Sequence, residues 1–154
     1  MRNTTVALGA VAALVLAVPA FAAPAHITKL DVTKLDVVER AETDAVSVHG
    51  GTAADNVGDV LTFNNPIYDA ANTRKIGSDQ GYCVRLVAGK SMECHWTLLL
   101  AKGQIMVDGP VHDDGDTLLA VTGGTGAYRG AHGEMLIHAR DAKATAYDFH
   151  YRLQ

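Results

Sequence analysis

Two cysteines, Cys83 and Cys94, flank the dipeptide Ala88-Gly89, which reads as a turn. With a two-residue turn there, Val87 faces Lys90. Counting outward then sets Cys83 opposite Cys94 on one face. Paired Cβ atoms at such positions are close enough to be bonded. The spacing brings no histidine beside either sulfur, so a papain-like nucleophile has no support. His112 stands beside Asp113, Asp114 and Asp116, but the seven histidines form no HxH or HxxxH pair. Such oxygen ligands would suit calcium better than zinc. An acidic turn around Gly115 is the commoner explanation, so neither a metal nor another cofactor is expected. The run from Thr122 to Gly130 is rich in glycine but lacks the Gly-Lys-Ser/Thr of a phosphate loop and the GxGxxG of a dinucleotide site. It reads as a tight connection whose backbone takes positive φ.

The elements that must position these residues are strands. Tyr147, Phe149, Tyr151 and Leu153 alternate with Ala146, Asp148, His150 and Arg152, the period of two that marks a half-buried strand. Further short strands are predicted near 35–40, 59–68, 81–87, 92–101, 104–111, 117–122 and 133–140. Turn residues separate them at Ala88-Gly89, Lys102-Gly103, Asp113-Asp114-Gly115 and Gly123 to Gly133. No amphipathic helix is legible after residue 22. About eight evenly spaced strands with tight turns predict an all-β, eight-stranded antiparallel up-and-down barrel. Closure leaves no sticky edge, and eight staves leave room for packed side chains or one small ligand.

The chain has 154 residues and a formal net charge of −4. Arg2, the apolar run Val6 to Val18, Pro19 and Ala20-Phe21-Ala22 occur in the order of a cleaved export signal. The run is short for a membrane span, which needs ~20 apolar residues, so no membrane partner is expected once residues 1–22 are removed. Cleavage deletes one charged side chain, Arg2, and takes the net charge to −5. Lysine and arginine are not clustered, which excludes a nucleic-acid partner. Residues 23–34 read as a tether containing a short duplication, Thr28 to Val32 and Thr33 to Val37. Residues 35–154 form the barrel. The expected location is secreted or periplasmic, and that oxidising compartment permits a Cys83–Cys94 disulfide.

Several separated motifs carry a family resemblance. Val57-Gly58-Asp59 with Phe63-Asn64-Asn65-Pro66-Ile67-Tyr68, then Gly77, Gly81-Tyr82-Cys83-Val84, Met92-Glu93, Gly109-Pro110 and Leu119 to Gly133, fall in the order found in plant allene oxide cyclases. The segment Leu119 to Gly133 is also similar to a signature of dirigent proteins. The resemblance runs from about Leu35 to Leu153. It implies the barrel, an assembly that is commonly trimeric, and a ligand cavity inside. It puts the family's pocket asparagine on Asn65, its cavity cysteine on Cys83 and its first-strand glutamate on Asp36. Because the family has a cysteine only at the Cys83 position, the resemblance points to free thiols, against the hairpin count.

Asp36 and Asn65 are therefore the expected catalytic residues, Asp36 for developing positive charge and Asn65 for an oxygen or an ordered water. By period-two alternation Phe63, Cys83, Arg85, Met92, Cys94 and Trp96 are expected to bind the substrate, with Arg85 turned inward and paired to Asp36. Three readings follow: a barrel that steers cyclisation or coupling of one small apolar molecule by shape, a lipocalin-type binding protein without turnover, and a barrel packed full.

Overall fold

The computed structural model describes residues 34–50 and 55–154. The expected signal peptide, and the tether apart from Lys34, lie outside the described residues. Among the described residues there are ten strands: β1 (Lys34–Arg40), β2 (Ala45–Ser47), β3 (Val60–Phe63), β4 (Pro66–Asp69), β5 (Lys75–Val87), β6 (Ser91–Leu100), β7 (Gly103–His112), β8 (Thr117–Gly124), β9 (Gly133–Ala139) and β10 (Ala146–Leu153). All pair antiparallel, and pairing of β1 with β10 and of β5 with β6 closes the sheet on itself. The ten strands make eight staves. β3 and β4 lie end to end along β5, and β2 follows β1 along the same side and pairs with β3.

The run predicted as one strand over 59–68 is interrupted at Asn64-Asn65 before Pro66, which has no N–H for the ladder. The register nevertheless continues, because Asn65 and Asp79 exchange backbone hydrogen bonds of 3.0 and 2.9 Å. β5 starts six residues before the expected strand at 81, and β2 was not legible at all. Gly123 and Gly124 belong to β8, and the connection itself holds a single 3-10 turn, Gly126–Tyr128. There Gly126 has φ +60°, and an added Cβ would stand 2.4 Å from the Lys102 carbonyl oxygen, so glycine is required.

The β5–β6 turn spans three residues, Ala88 to Lys90, not two. Leu86 bulges out of the ladder, so Arg85 faces Met92 while Val87 faces Ser91. The bulge offsets the longer turn, and Cys83 still faces Cys94. The two form a disulfide with Cα atoms 4.0 Å apart, as the hairpin count allowed and the family precedent did not.

Alternation fills the barrel from within. Leu98, Ile105, Val107, Met135, Tyr151 and Leu153 are buried in one core cluster that also holds Val37, Ile67, Trp96 and Phe149. Tyr128 and Ala131, from the β8–β9 connection, pack against the same cluster. Toward the opposite end the interior stays hollow.

Candidate functional site

The hollow is a cavity of about 710 Å³. Its wall includes Leu61, Phe63, Met92, Trp96, Ile137 and Phe149, with the Cys83–Cys94 disulfide between them. Trp96 stacks at a tilt against Phe149, with ring centroids 5.6 Å apart, and meets the edge of Phe63 at 6.3 Å. Gly81 makes room for this stack. A Cβ there would fall 2.4 Å from the Trp96 Cβ and 2.3 Å from the His95 carbonyl oxygen. The loops after β7 and β9 form the mouth, where Asp116 and His138 are joined by a 2.7 Å hydrogen bond.

Five of the expected substrate-binding residues, Phe63, Cys83, Met92, Cys94 and Trp96, line this space. Arg85 does not. It sits at the rim, where Nε meets Asp55 at 2.8 Å and Nη1 meets Asp113 at 2.6 Å. The expected Arg85–Asp36 pair is corrected with it. Asp36 lies on the outer wall, opposite His150, whose Nδ1 is 2.8 Å away, with the exposed Lys34 and Arg152 close by. Burial raises its pKa, but the hydrogen bonds from His150 and Lys34 outweigh that, and the net shift is downward.

The reason is strand parity. Leu35 and Val37 of β1 pack on the core, so the next inward position is residue 39. Glu39 is 5% exposed and reaches the cavity wall. A carboxylate was expected from β1. The structure supplies Glu39 in its place, on the face that Asp36 does not share.

Asn65 is inward, 1% exposed, and fully engaged. Its Oδ1 accepts from the Glu42 and Thr43 N–H groups at 3.0 and 2.9 Å and from Thr43 Oγ1 at 3.0 Å. Its Nδ2 donates to Glu39 Oε1 at 2.9 Å and to Asp44 Oδ1 at 2.7 Å. Asn65 does not line the cavity itself; it holds Glu39 and Asp44, which do.

Asp79 of β5 completes the group. It is wholly buried, and its Oδ2 finds no donor among the described residues. Its neighbour is the Glu39 carboxyl. Two carboxylates cannot share such a site, so one carries a proton. Burial first, then the Glu39 charge, push Asp79 up to about 9. Burial, together with the Asp44 charge, raises Glu39 to about 7, against the hydrogen bond from Asn65. The pair therefore holds one proton between its two carboxyl groups, and burial is what keeps it there. Glu39, facing the hollow, changes charge near neutrality, where a general acid or base works best. Tyr151, buried beside these groups and Trp96, is raised far above neutrality by desolvation and stays a phenol.

Tyr147 of β10 closes the site. Desolvation, followed by the negative charge of Glu39, Asp44 and Asp141, pushes its hydroxyl up to about 12. Neither Tyr147 nor Asp79 was singled out from the sequence. Tyr147 lies on the alternating face of β10 that was recognised, and that parity was its signal. Asp79 precedes the strand predicted there, and nothing in the sequence pointed to it.

Comparison with known proteins agrees with this architecture. The model of the family "Allene oxide cyclase" matches residues 23–144. Among solved structures, a pyocyanin demethylase is 22% identical with a TM-score of 0.68, covering 79% of this chain and 99% of its own. A pterocarpan synthase dirigent protein is 16% identical with a TM-score of 0.65, covering 77% of this chain and 82% of its own. An exo-specific intermolecular Diels-Alderase is 16% identical with a TM-score of 0.57, covering 79% of this chain and 98% of its own.

Proposed function

The chain belongs to the allene oxide cyclase family, and from that premise we propose that it is an exported barrel that holds one small, largely apolar molecule and steers its cyclisation or coupling. The observation that carries this reading is the buried Glu39 carboxyl at the wall of an aromatic cavity of about 710 Å³. A cavity of that size suits a drug-sized ligand. Its walls hold the molecule near its reacting geometry, which by itself supplies a large share of a rate. Glu39 as carboxylate takes a proton from one atom of the substrate and returns it to another, so the reaction is balanced as an isomerisation. The Asn65 Nδ2 donor keeps that carboxylate aimed. The names of the structural neighbours, a demethylase of pyocyanin, a pterocarpan synthase and a Diels-Alderase, support chemistry on small molecules. The disulfide supports the export reading.

The test is native mass spectrometry of protein recovered from the exported fraction, followed by return of the released ligand to fresh protein. Conversion by the wild type and not by Glu39→Gln is the expected result. Return of the ligand unchanged would favour the lipocalin-type carrier. Exported protein that carries no small molecule and accepts none would sink both.

A further inference from the structure

The cavity has a sign of charge, and the sign narrows the ligand. Glu39, Asp44, Asp113, Asp116 and Asp141 all line it. Asp113 is answered by Arg85, and Asp116 by His138. Arg140, the lining arginine, turns to Asp148, which is not on the wall. Among the described residues, Glu39, Asp44 and Asp141 stand in no ion pair. Asp141 has the exposed Lys143 of its own turn nearby. Glu39 stands opposite Tyr147 across the β1–β10 pair, both on the cavity wall, and after desolvation the three carboxyl groups add to the upward push on the Tyr147 hydroxyl.

The remaining wall adds to the same preference. The faces of Phe63, Trp96, Tyr147 and Phe149 are the negative ends of ring quadrupoles. A ligand carboxylate would meet charge of its own sign. A neutral ligand would strip water from the Glu39 carboxylate and give nothing back. Positive charge spread over an apolar ring frame satisfies both the carboxylates and the ring faces.

We propose that the cavity selects a ring-bearing organic cation, its charge between Glu39 and Tyr147 and its frame against Trp96 and Phe149. The inference rests on the reading of the barrel as a small-molecule site and names the class of molecule.

Three probes of one shape test it: acridine, its N-methyl cation and acridine-9-carboxylate, titrated at pH 8 by calorimetry and by quenching of Trp96, the sole tryptophan. The cation should bind about tenfold tighter than neutral acridine, and the carboxylate most weakly. Glu39→Gln should shrink the gap between cation and neutral probe. Asp44→Asn should shrink it too, and serves if the Glu39 variant fails to fold. Equal binding of cation and neutral probe, or a gap unchanged in the variants, would overturn the inference while leaving a small-molecule barrel. Failure of all three probes to bind would overturn it together with the reading beneath it.

Discussion

Glu39 and Asp79 come from staves that do not touch, β1 and β5, yet their carboxyl groups meet inside the barrel behind the stave that carries Asn65. Both are raised by burial, so the folded protein binds protons that the unfolded chain releases. The sign follows. The stability tied to these groups is full below their unfolded values and is lost as pH rises through about 7 for Glu39 and about 9 for Asp79. The unfolding midpoint in urea should therefore fall between pH 5 and pH 9. Asp79→Asn removes one of the two coupled acids, and its profile should be flatter. A wild-type midpoint that rises over this range would contradict the shared proton.

Removing the Asn65 amide should be costly. Asn65→Ala strips the acceptor from the Glu42 and Thr43 N–H groups and leaves Glu39 without its Nδ2 donor. The expected loss is about 3 kcal/mol, from buried groups left unpaired. Denaturant titration measures it, and a loss below about 1 kcal/mol would show that the network is not holding the β1–β2 corner.

The disulfide should act through the unfolded chain. Cys83 and Cys94 are 11 residues apart, a short loop. Replacing both with serine should cost ~2–3 kcal/mol in the chain-entropy view. Intact mass with and without reductant checks the bond, and two alkylatable thiols in freshly exported protein would refute it.

Asp36→Asn should do little. The residue is on the outer wall, its side chain 27% exposed, among partners that are more exposed still. Ion pairs of this kind are worth at most ~1 kcal/mol, so denaturation should move by less than that and probe binding not at all. A loss of ligand binding in this variant would return Asp36 to the site.

The sequence determined the barrel because alternation and turn chemistry are local. Tyr147 to Leu153 show the period of two without help from any other strand, and the even spacing of Gly-rich turns sets the stave count. It also determined the Cys83–Cys94 register, since a longer turn and a bulge at Leu86 offset one another. The aromatic wall was legible by the same alternation in Phe63 and Trp96. The charged end of the cavity was not. A strand shows which residues share a face, and one step of register exchanges the faces. Matching Asp36 to a family glutamate chose the wrong face, although Leu35, Val37 and Glu39 already marked the inner one. Arg85 had its inward side right, but its partners Asp55 and Asp113 come from loops whose path no periodicity records. The Glu39–Asp79 pair was the least legible of all. Only closure of the barrel brings two carboxyl groups from separate staves into one dry space, and only that burial changes what they do with a proton.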